Sequence, residues 1–192
     1  MPFDISTFRE ALKTGGVRPN LFEVHLSFPE FSGITGVDQD FSLLCKSAQL
    51  PGQDIGTIEV GYFGRKIKVA GDRTFAEWTI TVINDENFKI RNAFEKWHNA
   101  LNQHYANVRS AAADTLDKYQ MAATVYQFGK KGGAAIKVYD FVGMYPSSVQ
   151  PVDLAWDTTD TIEEFQVTLQ YQWWEASTTD GPHVVALGSV AV

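Results

Sequence analysis

Residues 55–83, IGTIEVGYFGRKIKVAGDRTFAEWTITVI, decide the fold class of this 192-residue chain. Apolar and polar residues alternate through much of the stretch, and such alternation is typical of half-buried strands. Glycine-containing gaps divide it into three strand-like pieces: 55–62, 66–70 and 74–83, with gaps at Gly64-Arg65 and Gly71-Asp72. Because short gaps with glycine are typical of hairpin turns, the stretch predicts an antiparallel meander.

Strand-like pieces also occur on both sides of this meander. They are predicted at 21–28, 41–48, 119–128, 134–142 and 162–174, with loops at 29–40 and 144–148. The last piece is the longest, and alternation gives it two faces. Its apolar face carries Phe165, Val167, Leu169, Tyr171 and Trp173, and its polar face carries Glu164, Gln166, Thr168, Gln170 and Gln172. The chain is therefore predicted to be rich in antiparallel β-structure.

One long helix is predicted at about 85–105. Asn84 can accept hydrogen bonds from its first free amides, and acidic residues after it favour the positive end of the helix dipole. Apolar residues recur at helical spacing at Ile90, Phe94, Trp97, Leu101 and Tyr105. A short helix is predicted at 4–13, with Asp4 or Ser6 as its cap, and an extended tail at 176–192. Since no internal repeat or clear linker occurs, a single domain is expected.

Composition excludes several classes of protein. With 44% apolar and 20% charged residues, the chain has the balance of a folded globular domain and not of a disordered one. Its net charge of −7 is opposite to that of most proteins that grip nucleic acid. The sequence has no signal-like start and no 18-residue apolar run, so export by a standard signal and membrane insertion are not expected.

The sequence shows no pattern of catalytic or metal-ligating residues. Cys45 lies among apolar residues, where a buried structural thiol is the favoured interpretation. The four histidines are scattered without zinc-ligand spacing, and Glu163 and Glu164, adjacent in a strand, point to opposite faces. Basic and aromatic residues meet at 62–68, which is weak support for nucleic-acid binding in an acidic chain. We therefore expect no catalytic site, cofactor or metal, and a binding or structural role instead of an enzyme.

Several stretches together resemble the tail tube proteins of T4-like contractile phages, within the superfamily of phage tail tubes and type VI secretion tubes. They are RPNLF at 18–22, GYFGRKIKVAGDRTF at 61–75, WTITVINDE at 78–86, LAWD at 154–157 and FQVTLQY at 165–171. The similarity runs from about residue 18 to 175. The loop 29–40 and the tail 176–192 depart from the compact family pattern.

The resemblance implies a mainly β fold, an antiparallel β-barrel or sandwich with one flanking helix at about 85–105. It divides the chain into a 1–17 segment, a tail tube β domain at 18–175 and the tail 176–192. It also implies six-membered rings that stack into a hollow tube in the virion, made in the cytoplasm of the bacterial host. The implied partners are further copies of the chain, the sheath, tape-measure, baseplate and tail-terminator proteins, and DNA that passes without specific binding.

The resemblance also suggests where subunits meet. Arg65, Asp72 and Arg73 are the candidates for salt bridges between subunits, because the 55–83 stretch is the densest match and carries no catalytic chemistry. The polar residues Glu164, Gln166, Thr168, Gln170 and Gln172 are the candidates for the lumen wall, since a wall free of lysine and arginine would let DNA slide.

Two other readings stay open at this point. The same architecture would suit a tube of a phage-like injection particle or a type VI-like secretion system that carries protein cargo. A β-barrel binding module or a small enzyme that acts alone is the third hypothesis, and it predicts a protein that forms neither rings nor filaments.

Overall fold

Two antiparallel sheets share one long strand in this protein. The computed structural model describes residues 5–13 and 15–178. The elements in chain order are α1 (Ile5–Ala11), β1 (Phe22–Leu26), a 3₁₀ turn (Glu30–Ser32), α2 (Val37–Leu44), β2 (Cys45–Ala48), β3 (Gln53–Tyr62), β4 (Arg65–Phe75), β5 (Trp78–Ile83), α3 (Lys89–Leu101), a 3₁₀ turn (Ala111–Ala113), α4 (Leu116–Tyr119), β6 (Met121–Phe128), β7 (Ala135–Val149), β8 (Glu164–Gln170) and β9 (Trp173–Thr178).

The first sheet contains β1, β6, β7 and β9, and the second contains β2, β5, β8 and the end of β7. The strand β7 passes from one sheet to the other near Gly143, whose φ of 70° lies in the left-handed region. A side chain there would meet Gln172, whose Cγ lies 2.6 Å from the position of a Cβ. The predicted mainly β, antiparallel fold with a flanking helix is confirmed.

The core lies between the sheets and under α3. Alternate residues of β5 and β8 are buried, among them Trp78, Ile80, Phe165 and Val167. The helix α3 adds its apolar stripe, with Ile90, Ala93, Phe94 and Trp97 buried. The ring of Phe28 lies 5.0 Å from that of Phe94 and so ties α3 to the end of β1.

The long helix starts later than predicted. Asn84 does not cap it: its side-chain oxygen accepts no hydrogen bond from the described residues, while its side-chain amide donates to Glu163 Oε1 at 2.7 Å. Instead, Asp85 Oδ1 accepts a hydrogen bond from the Lys89 amide at 2.9 Å, and the helix begins at Lys89. It ends at Leu101, so Tyr105 lies beyond it and is fully exposed.

The strand predicted at 41–48 is half wrong. Residues Val37–Leu44 form the helix α2, and only Cys45–Ala48 form a strand. Val37 and Phe41, one helical turn apart, are both buried on one face of α2. The predicted loop 29–40 therefore holds a 3₁₀ turn and the start of this helix.

The predicted three-stranded meander is a hairpin instead. Gly71 and Asp72 do not form a turn, since β4 runs unbroken from Arg65 to Phe75. A Cβ at Gly71 would lie 3.1 Å from the backbone oxygen of Gly56, beside a register shift between the two strands. Glycine serves a close approach of two backbones there, which a sequence pattern does not distinguish from a turn.

Two boundaries near the end of the chain also differ from prediction. The loop predicted at 144–148 is part of β7, which at 15 residues is the longest strand. The strand predicted at 162–174 is divided at Tyr171 and Gln172 into β8 and β9, both paired with β7. Residues 176–178 of the predicted tail belong to β9, and the rest of that tail lies outside the described residues.

The predicted N-terminal helix is present as α1, and none of its residues is buried. Asp4, one of its two predicted caps, lies outside the described residues.

Candidate assembly surfaces

A two-stranded arm, residues 53–75, extends from the second sheet. The register shows its origin. Ala48 pairs with Ile80 in the sheet, and Gln53, five residues later, pairs with Phe75, five residues before Ile80. The arm is thus the distal half of the hairpin that begins with β2 and β5. Its 10-residue strand β3 spans about 33 Å at the usual rise of a strand.

The base of the arm is attached to the body by aromatic side chains. The Trp174 indole N–H donates to the Gly52 carbonyl at 3.3 Å, and the rings of Phe75 and Tyr171 lie 5.9 Å apart. Beyond this base, no substantial packing joins β3 or β4 to another described helix or strand. Every residue of β3 is exposed.

The arm has one apolar and one polar face. Ile58 pairs with Val69, and Val60 pairs with Ile67, so these four side chains share a face. All four are about half exposed. On the opposite face Lys66 forms an ion pair with Glu59 at 2.6 Å. An isolated two-stranded hairpin is marginal in water, so an arm of this kind gains stability when another surface covers its apolar face.

The turn at the arm tip carries two aromatic residues. The rings of Tyr62 and Phe63 lie 4.6 Å apart at a steep angle, and Phe63 is 91% exposed. Phe63 has φ of 44° and Gly64 has φ of 81°. Two successive positive φ values are typical of the two-residue hairpin turn that favours Asn-Gly, so phenylalanine is an unfavourable choice for this backbone.

The three predicted interface residues all lie on the arm. Arg65 is the first residue of β4, next to the tip, while Asp72 and Arg73 lie toward the base. All three are exposed, and none has an ion-pair partner among residues 5–13 and 15–178. The structure therefore leaves them available to another chain, while their role as interface residues stays a prediction.

Four of the five predicted lumen residues lie on one face of β8. Glu164, Gln166, Thr168 and Gln170 alternate with the buried Phe165, Val167 and Leu169, so they point away from the core. Gln172 lies outside β8, at the bend before β9. The predicted continuous row is thus interrupted at Tyr171.

Neighbouring strands extend this polar face. Thr79 and Thr81 of β5 pair with Thr168 and Gln166. Gln170 donates to Glu77 at 2.7 Å. Lys46 lies beside this face and is paired with Glu164 at 2.5 Å. Hydroxyl and amide groups therefore dominate the surface, and its cation is neutralised within the chain.

An open groove lies at the other end of the second sheet. The segment 150–163 and the adjoining ends of β5 and β8 enclose about 680 Å³. Leu154, Trp156 and Ile162 in this segment are large apolar residues at least 70% exposed. We call this the acidic groove, because its lining includes the carboxylates of Asp153, Glu163 and Glu164 and neither lysine nor arginine.

The side chains considered for catalysis or metal binding form no reactive site in the described residues. Burial raises the pKa of the Cys45 thiol to about 12, so the thiol is protonated and unreactive at neutral pH. No cluster of three or more histidine, cysteine or acidic residues suited to a metal occurs in residues 5–13 and 15–178. Among the helices that the structure describes, none has the length and apolar character needed to span a membrane.

Sequence reasoning missed the groove and the unburied apolar face of the arm. The alternation in 57–62 and 66–70 was sufficient to predict strands, but it implies a buried face, whereas this face is exposed in the single chain. Trp156 was a signal that could have pointed to the groove segment. It lies in a stretch predicted to form a turn, where no strand or helix would bury it, and it is exposed.

Comparison with known proteins identifies the family. The family model for phage tail tube proteins matches residues 17–177. The tail tube protein gp19 of Enterobacteria phage T4 is 36% identical over 159 residues, which is 82% of this chain and 90% of that protein. The tail tube protein of Serratia phage KSP90 is 27% identical over 169 residues, 87% of this chain and 93% of that protein.

A solved structure with low sequence identity shares the fold. The cap of the anti-feeding prophage tube covers 85% of this chain and 91% of its own at a TM-score of 0.62 and 17% identity. The named sequence relatives are structural proteins of phage tails, which confirms the predictions of a structural role and of no enzymatic activity. With most of its length matched by the family model and by relatives above 30% identity, the chain belongs to the phage tail tube protein family.

Proposed function

We propose that this chain forms six-membered rings that stack into the inner tube of a contractile phage tail, through which DNA enters the host. The arm carries this proposal. It presents an apolar face that the described part of its own chain leaves uncovered, together with the unpaired charges of Arg65, Asp72 and Arg73. A surface on one copy that meets a different surface on the next gives rings when the rotation closes and filaments when it does not.

Open sheet edges support the same proposal. Among the described strands, β2 pairs with β5 alone and β1 with β6 alone, so each has a free edge. Pairing these edges across subunits would protect them and would join the sheets into one barrel. The division into a 1–17 segment, a β domain and a C-terminal tail belongs to this proposal.

The polar face of the second sheet is the proposed lumen wall. Free cations in a wall would each offer a contact to DNA phosphate, and a ring of them would slow its passage. Lys46, beside this face, is neutralised by Glu164, and Thr168 lies 3.4 Å from the Thr79 hydroxyl in a hydroxyl-rich surface. Gln166 and Gln170 complete this face, and Gln172 adjoins it at the bend.

The remaining partners follow from tube assembly. A tail tube of this kind would contact a surrounding sheath, a tape-measure protein in its lumen, and baseplate and terminator proteins at its ends. The chain would be made in the bacterial cytoplasm and incorporated into the virion. A tube of a phage-like injection particle with protein cargo is the second candidate, favoured by the shared fold with the tube cap of the anti-feeding prophage.

Negative-stain electron microscopy and size-exclusion chromatography of the purified chain test the proposal. We expect rings with six subunits or stacked tubes. Arg73→Glu is expected to reduce assembly at least tenfold without changing the melting temperature, because it reverses an exposed charge on the arm. Lys131→Glu makes the same charge change on the exposed β6–β7 turn and is the matched control.

A chain that stays monomeric at high concentration and in phage-like salt would contradict the proposed function. Equal assembly of the Arg73 and Lys131 variants would instead reject Arg73 as an interface residue. For the lumen, a reconstruction of the tube with the β8 polar face turned outward would reject that assignment.

A further inference from the structure

We propose that the C-terminal tail, residues 179–192, packs its apolar side chains on the exposed apolar stripe of α1 in the same copy. The stripe consists of Ile5, Phe8 and Leu12. This inference goes beyond the proposed function, because it concerns two segments outside the region shared with the family. The phage tail tube model matches residues 17–177, so α1 and the tail are both additions to that region.

The stripe on α1 is an apolar surface that the described residues leave uncovered. Ile5, Phe8 and Leu12 follow the spacing i, i+3, i+7 and so lie on one side of the helix, which continues as the Leu12 amide donates to the Phe8 carbonyl at 3.1 Å. Their exposed fractions are 75%, 64% and 46%. No substantial packing joins α1 to another described helix or strand. Because so short a helix is marginal by itself, a surface that covers the stripe would stabilise it.

The two segments meet the first sheet at the same end. Phe22, the first residue of β1, pairs with Gln127 of β6. Gln127 pairs with Lys137 of β7, and Lys137 pairs with Thr178 of β9. One row across four neighbouring strands therefore contains both the residue where the N-terminal segment enters the sheet and the last residue before the tail.

Hydrogen bonds hold the N-terminal segment at this end of the sheet. The Gln127 side-chain amide donates to the carbonyls of Arg18 and Leu21, both at 2.8 Å. The Phe128 amide also donates to the Leu21 carbonyl at 2.8 Å. From Arg18 back to Leu12 the chain can extend no further than about 20 Å. The stripe is therefore tethered close to the end of the sheet where the tail begins.

The tail is long enough to reach the stripe. Two strand spacings, about 10 Å, separate Thr178 from Gln127. With the Gln127 side chain and residues 12–18 added, Leu12 lies within about 35 Å of Thr178. Residues 179–192 extend to about 46 Å. A segment tethered in this way meets its own chain at an effective concentration of the order of millimolar, which favours the stripe of the same copy.

The composition of the tail suits an apolar surface. Residues 181–192, GPHVVALGSVAV, hold no lysine, arginine, aspartate or glutamate, and apolar side chains fill 184–187 and 190–192. Contact between these side chains and the stripe removes apolar area of both segments from water. The tail therefore supplies the cover that α1 lacks among the described residues.

The apolar face of the arm is the competing surface, and its position is less favourable. The arm is attached near the start of β9, where Trp174 donates to the Gly52 carbonyl, whereas the tail begins after the end of that strand. Ile67 on this face lies eight residues along β4 from Phe75 at the base, which is about 26 Å. To cover the arm, the tail would have to run back along β9 and then outward, while the stripe is tethered at its own end of the sheet.

Cross-linking of the full chain tests the contact. In a Cys45→Ala background, Phe8→Cys and Leu187→Cys are combined and treated with a short bismaleimide. We expect a protein that still runs as a monomer on a denaturing gel, with residues 8 and 187 joined in the peptide map. Ile67→Cys combined with Leu187→Cys is the matched control, because Ile67 is 57% exposed and Phe8 is 64% exposed. This control is expected to give no such link.

Limited digestion with trypsin tests the contact without added cysteines. Arg9 lies in α1 and Lys13 follows it, so the rate of cleavage after them reports how often this segment opens. Leu187→Asp should raise that rate about tenfold, because a charge in the tail opposes burial on the stripe. Ser189→Asp adds the same charge at a polar position of the tail and is expected to digest like the wild type.

The outcomes separate this inference from the proposed function. If the link between residues 8 and 187 does not exceed its control, the inference is wrong, and equal digestion of the two aspartate variants overturns it likewise. Covalent dimers in place of linked monomers would show that the tail packs on another copy and would overturn the same-copy assignment. Electron microscopy of the wild-type chain decides the proposed function independently, since the contact within one copy requires neither rings nor tubes.

Discussion

The same alternating β-pattern occurs in the body and in the arm of this tail tube protein, but it has a different role in each. In β5, residues Trp78, Ile80 and Val82 alternate with threonines and are buried between the sheets. In β3, Ile58 and Val60 alternate with threonine, glutamate and glycine, and yet no residue of the strand is buried. The body therefore obtains its stability from its own core, while the arm has an apolar face whose burial requires another molecule.

Removal of the arm should give the largest difference between assembly, which depends on the arm, and folding, which depends on the body. Replacing residues 53–75 with Asn-Gly closes the hairpin after β2 in the existing register. We expect complete loss of rings and tubes, with the melting temperature of the body changed by only a few degrees. Electron microscopy and thermal unfolding monitored by circular dichroism measure the two effects. Tubes formed by the shortened chain would show that the arm is dispensable.

Truncation of a core residue should give the opposite result. Trp97 is fully buried and donates its indole N–H to the Tyr119 carbonyl at 3.0 Å. Trp97→Ala is expected to lower the free energy of unfolding by about 3–5 kcal/mol. Ile67→Ala on the arm is the matched variant and should lower it by about 0.5 kcal/mol or less, because Ile67 is already half exposed. Urea unfolding compares them, and equal losses would contradict the division into body and arm.

A smaller effect is expected at Gly71, where the two backbones of the arm approach each other closely. At Gly71 a Cβ would lie 3.1 Å from the Gly56 oxygen and 3.3 Å from Ile58 Cγ1, whereas at Gly61 nothing lies within 4 Å. Gly71→Ala should displace the outer part of the arm and raise the concentration needed for assembly about tenfold, equivalent to about 1.4 kcal/mol. Gly61→Ala, in the same arm, should assemble normally. Sedimentation over a concentration series measures how much of each variant assembles. Equal assembly of Gly71→Ala and Gly61→Ala would show that the arm tolerates the displacement.

An effect of similar size concerns the titration of Cys45 in the body. Burial raises its pKa from 9.0 to about 12, so the folded chain holds this proton more tightly than the unfolded chain. The resulting stability is complete below pH 9 and is lost as the pH rises toward 12. At pH 10 the wild type should lose roughly 1.4 kcal/mol relative to Cys45→Ala. Urea unfolding of both proteins at pH 8 and pH 10 measures this loss, and identical pH dependence would mean that the thiol is not buried.

The sequence predicted the buried residues correctly wherever one face of a helix or strand packs against its own chain. Ile90, Phe94 and Trp97 predicted the buried stripe of α3, and the alternation of Phe165, Val167 and Leu169 predicted the inner face of β8. Such periods reflect the geometry of helices and strands themselves, so a short stretch contains the necessary information. The family resemblance at 61–86 has the same origin in the chain alone.

Sequence was a poor guide where local patterns allow two structures. A short apolar run such as 41–48 suits a strand or a helix, and the packing of Val37 and Phe41 in the core decided for a helix in its first half. Gly71 suits a turn or a close backbone approach, and pairing with Gly56 decided for the latter.

The sequence by itself determined which residues alternate, which charges lie near one another along the chain, and to which family the protein belongs. Tertiary structure alone decided that the apolar face of 57–70 leaves the core, that the arm and the acidic groove lie at opposite ends of one sheet, and that Lys46 neutralises Glu164. The physical reason is that periodicity and polarity are properties of neighbouring residues. Burial and charge pairing depend on residues distant in sequence that folding brings together.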